Sequence, residues 1–306
     1  MSNLVDLWEK PTADKIYMII GWRQWADAGS ISSLLPEYLI EQTNARKIGE
    51  IKPKGFYLFQ IPGTHHLLRP EIQLDEGYRK GLTTKKNEIY YSGNNEKGLV
   101  IFLGDEPHLN ADEYGDALFH IVKELGVRRA AAIGGVYGPM PYDKDRQISC
   151  SYSLRRMKPE LEEYAVRFSN YEGGATIGSF LLDQAEKEEI EFFVIYAFVP
   201  AYDLTELSSL LQGMRIENDY KAWYDLMRRL SHMFKLEIDL SGLAQQSNEL
   251  AEMMDAKVAE LERKMPQLEI RQHLEKLAKD FTETTFMPLD EVWERELGDL
   301  LDDIED

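Results

Sequence analysis

The chain has 306 residues, a hydrophobic fraction of 43% and a formal charge of −19. A chain this long and this apolar buries a core without metal or disulfide staples, so a disordered segment and a small cross-linked module are both excluded. The acidity is uneven, net −2 over residues 1–150 and net −17 over 151–306, which argues against a phosphate backbone as partner. It reads either as a solubilising surface or as a surface for a basic partner.

In chain order, residues 16–20 (Ile-Tyr-Met-Ile-Ile) predict a buried strand, followed by a glycine-bounded loop and a helix over 32–41. Residues 55–91 lack a helical period and are rich in β-formers, which predicts hairpin-like additions to a sheet. Residues 99–103 predict a second buried strand. A helix over 111–125 follows, with Tyr114, Leu118, Ile121, Val122 and Leu125 on one face. Residues 130–136 predict a third strand and 192–199 a fourth, with a helix over 177–188 between them. Strands apolar on both faces and separated by helices indicate a largely parallel sheet covered on both sides. The lone cysteine, Cys150, falls in the alternating run 148–152 and suits a packed strand position in a reducing compartment.

From about residue 217 the pattern is helical only. Leu250, Met254, Val258, Leu261 and Met265 form one narrow stripe, broken by Pro266. Ile270, Leu274, Leu277 and Phe281 form the next, and Leu289, Trp293, Leu297, Leu300 and Ile304 follow Pro288. Such seams suit packing on the α/β body or on another subunit. The expected division is an α/β core over 1–235 and an acidic helical region over 236–306. The start of the chain reads as no signal peptide. The longest apolar run, 192–199, is far short of the roughly 20 residues a spanning helix needs. A soluble cytoplasmic protein is expected.

Catalytic and metal-binding signatures do not occur. There is no Walker A or Gly-x-Gly-x-x-Gly phosphate loop, no Gly-x-Ser-x-Gly elbow and no His-Glu-x-x-His. The six histidines (65, 66, 108, 120, 232 and 273) lack ligand spacing, so neither metal nor cofactor is expected. Gly173 and Gly174 open a helix, where they either leave amides for an anion or merely permit a tight turn.

The unusual loops all follow the buried strands. Residues 21–29 contain Trp22, Asp27 and Gly29; 104–107 contain Asp105 and Glu106; 134–141 contain Tyr137; and 200–203 contain Tyr202 and Asp203. In a parallel sheet these loops gather along one edge. Ordinary turn chemistry and packing tryptophans are the competing explanation.

The same residues carry a resemblance. Gly21-Trp22 followed by Asp27-Ala28-Gly29 resembles the Gly-Trp-Asn-Asp-Ala-Gly hallmark of the proteasome assembly chaperone family, type two, with three extra residues inside it. Arg69-Pro70, Gly104-Asp105-Glu106-Pro107, Tyr171-Glu172-Gly173-Gly174 with Ile177-Gly178, and Val199-Pro200-Ala201-Tyr202 match further motifs in order, Ala201 standing where the family has histidine. The likeness runs from about residue 16 to 265. It implies a three-layer α/β/α sandwich around a mixed sheet, similar to the purine nucleoside phosphorylases but without their active site. It also implies self-association and a protein client. Residues 302–306 lack the penultimate tyrosine with which some archaeal relatives dock proteasome rings, so the likeness does not imply docking of that kind. The reading is therefore a protein-binding scaffold whose rim is Trp22, Asp27, Gly29, Arg69, Asp105, Glu106, Tyr137, Gly173, Gly174, Tyr202 and Asp203. The rival is a phosphorylase-like or hydrolase-like enzyme on a nucleoside-type molecule, with Asp105, Glu106 or Asp203 as acid and Arg69 for phosphate.

Overall fold

A computed structural model describes residues 4–23, 25–60, 69–204, 213–277, 279, 281–284 and 286. Both His65-His66 and the seam expected beyond Pro288 lie outside them. The first half holds β1 (Val5–Leu7), β2 (Lys15–Arg23), α1 (Leu34–Gln42), β3 (Arg46–Ile51), β4 (Glu71–Asp75), β5 (Tyr78–Thr83) and β6 (Asn87–Gly93). Next come β7 (Lys97–Asp105), α2 (Ala111–Glu124), β8 (Val127–Gly138), β9 (Ile148–Tyr152), α3 (Lys158–Glu162) and β10 (Arg167–Phe168). The remainder comprises α4 (Ile177–Lys187), β11 (Phe192–Tyr202), β12 (Met214–Arg215), α5 (Tyr220–Phe234), α6 (Ser241–Lys264) and α7 (Ile270–Leu277).

Ten of these strands form one mixed sheet in the order β1-β3-β6-β7-β2-β8-β11-β9-β10, with β12 on β11. Its centre, β7-β2-β8-β11, is parallel throughout and consists of the four strands expected from the apolar runs. Antiparallel strands flank this centre on both sides.

The alternation of strand side chains decides what each face packs against. Ile16, Met18, Ile20 and Trp22 of β2 join α2 and α4 in one core cluster. Ile19, on the other face, joins α1, α5, α6 and α7 in the second. The apolar stripe of α6 (Leu250, Met254, Val258) is buried in that second cluster together with residues of the sheet. Thus the molecule is a three-layer α/β/α fold. Among the described residues no helix is long and apolar enough to cross a membrane.

The segment 55–91 behaves in two ways. Strand β6 extends the main sheet, as expected. Strands β4 and β5 instead form a two-stranded sheet of their own, closed by Glu76-Gly77, both with positive φ (48° and 86°), the geometry of a tight two-residue hairpin turn. Every residue of β4 is exposed, so no face of it is turned into the body.

Candidate functional site: the C-terminal rim of the parallel strands

The register aligns the four strand ends. Trp22 lies beside Gly104 and Arg23 beside Asp105, while Val199 pairs with Tyr137 and Pro200 with Gly138. The loop after β2 folds back over β8 through a bridge between Asp27 and Gly135. Gly135 is needed for that approach, because a Cβ there would sit 2.0 Å from the Ala28 carbonyl oxygen. Asp27 fixes the loop: its carboxylate accepts from the amides of Ser32 (2.8 Å) and Ser33 (2.9 Å) and from the Ser33 hydroxyl (2.6 Å). Burial nonetheless pushes its pKa above the ordinary carboxylate range.

One half of the rim lies over α2 and α4. There the Trp22 indole donates to the Tyr114 hydroxyl (2.9 Å), which lies 3.0 Å from Asn87 Oδ1. The Tyr57 hydroxyl is 2.7 Å from the same Asn87 oxygen and 2.8 Å from the Asp105 carbonyl; with one proton it serves one acceptor at a time. Desolvation raises the pKa of both tyrosines, so they stay neutral donors. The Asp105 carboxylate accepts from Lys85 Nζ (3.0 Å) and the Lys86 amide (2.9 Å). Glu106 accepts from the Ile177 amide at the start of α4 (3.1 Å), and burial raises its pKa. A carboxylate of the chain itself therefore meets the first amide of that helix. Gly173 and Gly174 lie exposed just before it. The cleft among Trp22, Trp25, Ser32, Thr176, Ile177 and Tyr196 has a volume of about 10 Å³, no more than about one water occupies.

The other half lies over α1 and α5. Gly29 takes φ 66°, and its missing Cβ leaves room for Asp219, whose Cβ would be 2.8 Å away. Its carbonyl accepts from the Asp219 amide (3.0 Å) and the Trp223 indole (2.9 Å). Asp219 caps α5 and holds the fully buried Arg146 guanidinium in a fork of 2.8 and 3.1 Å. The remaining Arg146 nitrogen donates to the carbonyls of Tyr142 (3.0 Å) and Lys144 (2.9 Å). The Arg146 amide donates to Asp225 (2.7 Å), whose pKa burial pushes up to about 6. These bonds bind the loop after β8 to the start of α5. Tyr202 is buried, its hydroxyl donating to the Met140 carbonyl.

The expected rim residues at the ends of β2, β7, β8 and β11 thus share one edge of the sheet but divide between its faces, Trp22 facing one core cluster and Tyr202 the other, while Arg69 is not among them. Tyr137 stays half exposed with the Arg215 guanidinium 5.4 Å from its ring centre. The Asp203 side chain is exposed, and His273 Nε2 lies 3.4 Å from its carbonyl. Arg69 stands before the β4–β5 hairpin, beside Gln60 and over the Phe59 ring. Sequence reasoning missed Tyr57, Asn87, Tyr114, Arg146, Asp219 and Asp225. Arg146 and Asp219 are 73 residues apart, and no local pattern relates them. Among the described residues no group of His, Cys, Asp and Glu could hold a metal ion.

What the rim presents outward is aromatic: Trp25 is 63% exposed and Tyr171 74%, alongside Tyr137. Beneath them many of the polar groups are bonded to one another, and a cavity of about 350 Å³ lies between the loop after β8 and α6–α7, lined by Tyr142, Lys144, Tyr202, Asp255 and Arg271. The fold and rim define an α/β protein with a parallel central sheet and an outer surface edged by exposed aromatic side chains.

Residues 22–258 match the PAC2 family. The chain belongs to that family. No curated protein is significantly similar to it in sequence. Among solved structures it is similar to a PAC2 family protein from Streptomyces avermitilis, with a TM-score of 0.67 and 21% identity over 81% of this chain and 97% of the other. A proteasome-assembly chaperone homologue from Mycobacterium tuberculosis matches at 0.67 and 19%, over 80% and 96%. PbaB of Pyrococcus furiosus, an archaeal proteasome activator, matches at 0.56 and 19%, over 82% and 97%.

Proposed function

We propose that this chain is a cytoplasmic, protein-binding scaffold of the assembly-chaperone type that self-associates and holds a protein client on the aromatic rim. The strands of the α/β core carry the rim, and α6 and α7 pack against the same core. One observation carries this reading: Trp25, Tyr137 and Tyr171 are exposed above a bonded polar layer whose cleft is only about 10 Å³. Exposed tryptophan and tyrosine on a rigid base suit a protein interface, in which a few such residues carry most of the binding energy. The nucleoside-directed alternative draws no support from the family match or from the solved structures this chain is similar to. Family membership and the relatives described as proteasome-assembly chaperones support the chaperone reading.

The test is affinity capture of a client from native lysate, followed by titration of the purified client against wild type and a Trp25→Ala/Tyr171→Ala variant. Loss of ~30-fold or more in affinity is expected if these side chains are hot spots. Equal affinity for both proteins, or no client at all, refutes the rim as the binding surface.

A further inference from the structure

The segment after α7 returns to the body through one aromatic side chain. Phe286 is only 4% exposed, although Thr282 and Glu283 before it are exposed. Its ring stacks on Tyr164 (centroids 5.9 Å apart, planes 29° apart) and meets His232 edge-on at 5.9 Å. The Arg229 guanidinium lies 5.2 Å from its centre and that of Arg228 6.0 Å. Polar contacts hold the rest of the segment. Arg167 and Arg229 donate to the carbonyls of Thr282 (3.2 Å) and Thr284 (3.5 Å), and Glu283 accepts from the Asp145 amide (3.1 Å).

The walls of this socket are held by bonds of their own. Arg229 donates to the carbonyls of Tyr164 (2.9 Å), Asp225 (2.8 Å) and Ala165 (3.4 Å), and Tyr164 meets His232 edge-on at 6.0 Å. Arg229 is 1% exposed and these partners are carbonyls rather than carboxylates; burial lowers its pKa to about 10. Burying a guanidinium without a bonded carboxylate is costly. Lifting Phe286 uncovers the guanidinium it lies against, and rehydration offsets part of the lost ring burial. That relief makes local release of the segment cheaper than uncovering a wholly apolar pocket.

Charge fits the pairing. Arg167, Arg228 and Arg229 stand at the socket and its approach. Of the acids around them, Asp145 and Glu160 are paired with Lys221 (2.8 Å) and Arg129 (2.7 Å), Asp225 is buried on the Arg146 amide, and Glu163 is exposed. Residues 283–306 carry ten acids and one base, so the segment brings the complementary sign.

We propose that the socket of Tyr164, Arg228, Arg229 and His232 is a docking site for an acidic segment anchored by a phenylalanine, and that residues 281–286 are a latch that fills it in cis and yields it to such a segment of a partner protein. The site shares no residue with the aromatic rim, so it stands whether or not the rim binds a client.

A fluorescein-labelled peptide of residues 279–291 is the probe, read by fluorescence anisotropy against the full chain, with thermal melting to verify folding. In the wild type the attached latch competes at high effective concentration. Phe286→Ala empties the socket, and Glu283→Lys loosens the latch without altering the socket walls. The first variant is expected to bind the peptide at least ~10-fold more tightly than the wild type and the second at least ~3-fold, both more weakly as salt rises. A peptide that itself carries Phe286→Ala should bind at least ~10-fold more weakly. Should the Phe286→Ala chain fail to fold, Glu283→Lys alone decides. Equal binding by wild type and variants, binding indifferent to the peptide's phenylalanine, or no binding by either variant overturns the proposal.

Discussion

Replacing Arg146 by methionine should be among the most damaging single changes available in this protein. Arg146 and Asp219 side chains are both completely buried, so no solvent screens what is left when one partner goes. Methionine fills much of the arginine stem's volume but supplies no donor. Asp219 keeps its bond from the Ala222 amide and loses both guanidinium bonds; the carbonyls of Tyr142 and Lys144 lose theirs. Breaking a buried pair on one side costs about 3–5 kcal/mol, chiefly because the remaining charge stays buried without a counter-ion. That is a large fraction of the roughly 5–15 kcal/mol that holds a domain folded. Urea unfolding followed by tryptophan fluorescence measures it directly, since Trp223 donates to Gly29 beside the pair. Adding Asp219→Asn to the methionine variant removes the stranded charge and should recover part of the loss, giving a double variant less damaged than the sum of the singles. A loss below about 1 kcal/mol for the single variant would show that water reaches the site and the reasoning fails.

Three further outcomes follow from the same structure. Asp225 has its pKa raised to about 6 from an ordinary 3.8, so the folded state binds the extra proton between those values. Wild-type stability relative to Asp225→Asn should therefore fall as pH rises from about 4 to about 6, by up to about 3 kcal/mol; parallel stability profiles for the two proteins would contradict this. In α6, Met254→Ala should cost ~2–5 kcal/mol because the side chain is buried with sheet residues, whereas exposed Met253→Ala should stay within about 0.5 kcal/mol in the monomer. Equal effects in denaturant titrations would mean α6 is not part of the core. Burial pushes the Cys150 thiol up to about 12, so a thiol reagent at pH 8 should label it only after denaturation, and rapid labelling of the native protein would refute its packed position.

Much of the frame was legible in the order of residues, because burial on both faces writes itself as uninterrupted apolar runs. The four central strands read that way, and α2 read from its single apolar face. The rim was legible for a related reason: loop residues after parallel strands must reach the same edge, and Trp22, Asp105, Tyr137 and Tyr202 do. The α6 stripe likewise announced a buried face.

Tertiary structure alone decided which strands became neighbours and which face each rim side chain took. Trp22 and Tyr202 end on opposite faces because the pleat gives each residue a direction that depends on its own strand's register. Pairing at a distance carries no local signature either: Arg146 meets Asp219 across 73 residues, and Tyr57, Asn87 and Tyr114 meet only because the segment after β3, the start of β6 and α2 converge beside the β2 end. The exposed β4–β5 hairpin is the reverse case. Its alternation is that of a half-buried strand, yet burial is a property of neighbours, and within this chain the main sheet closes without it.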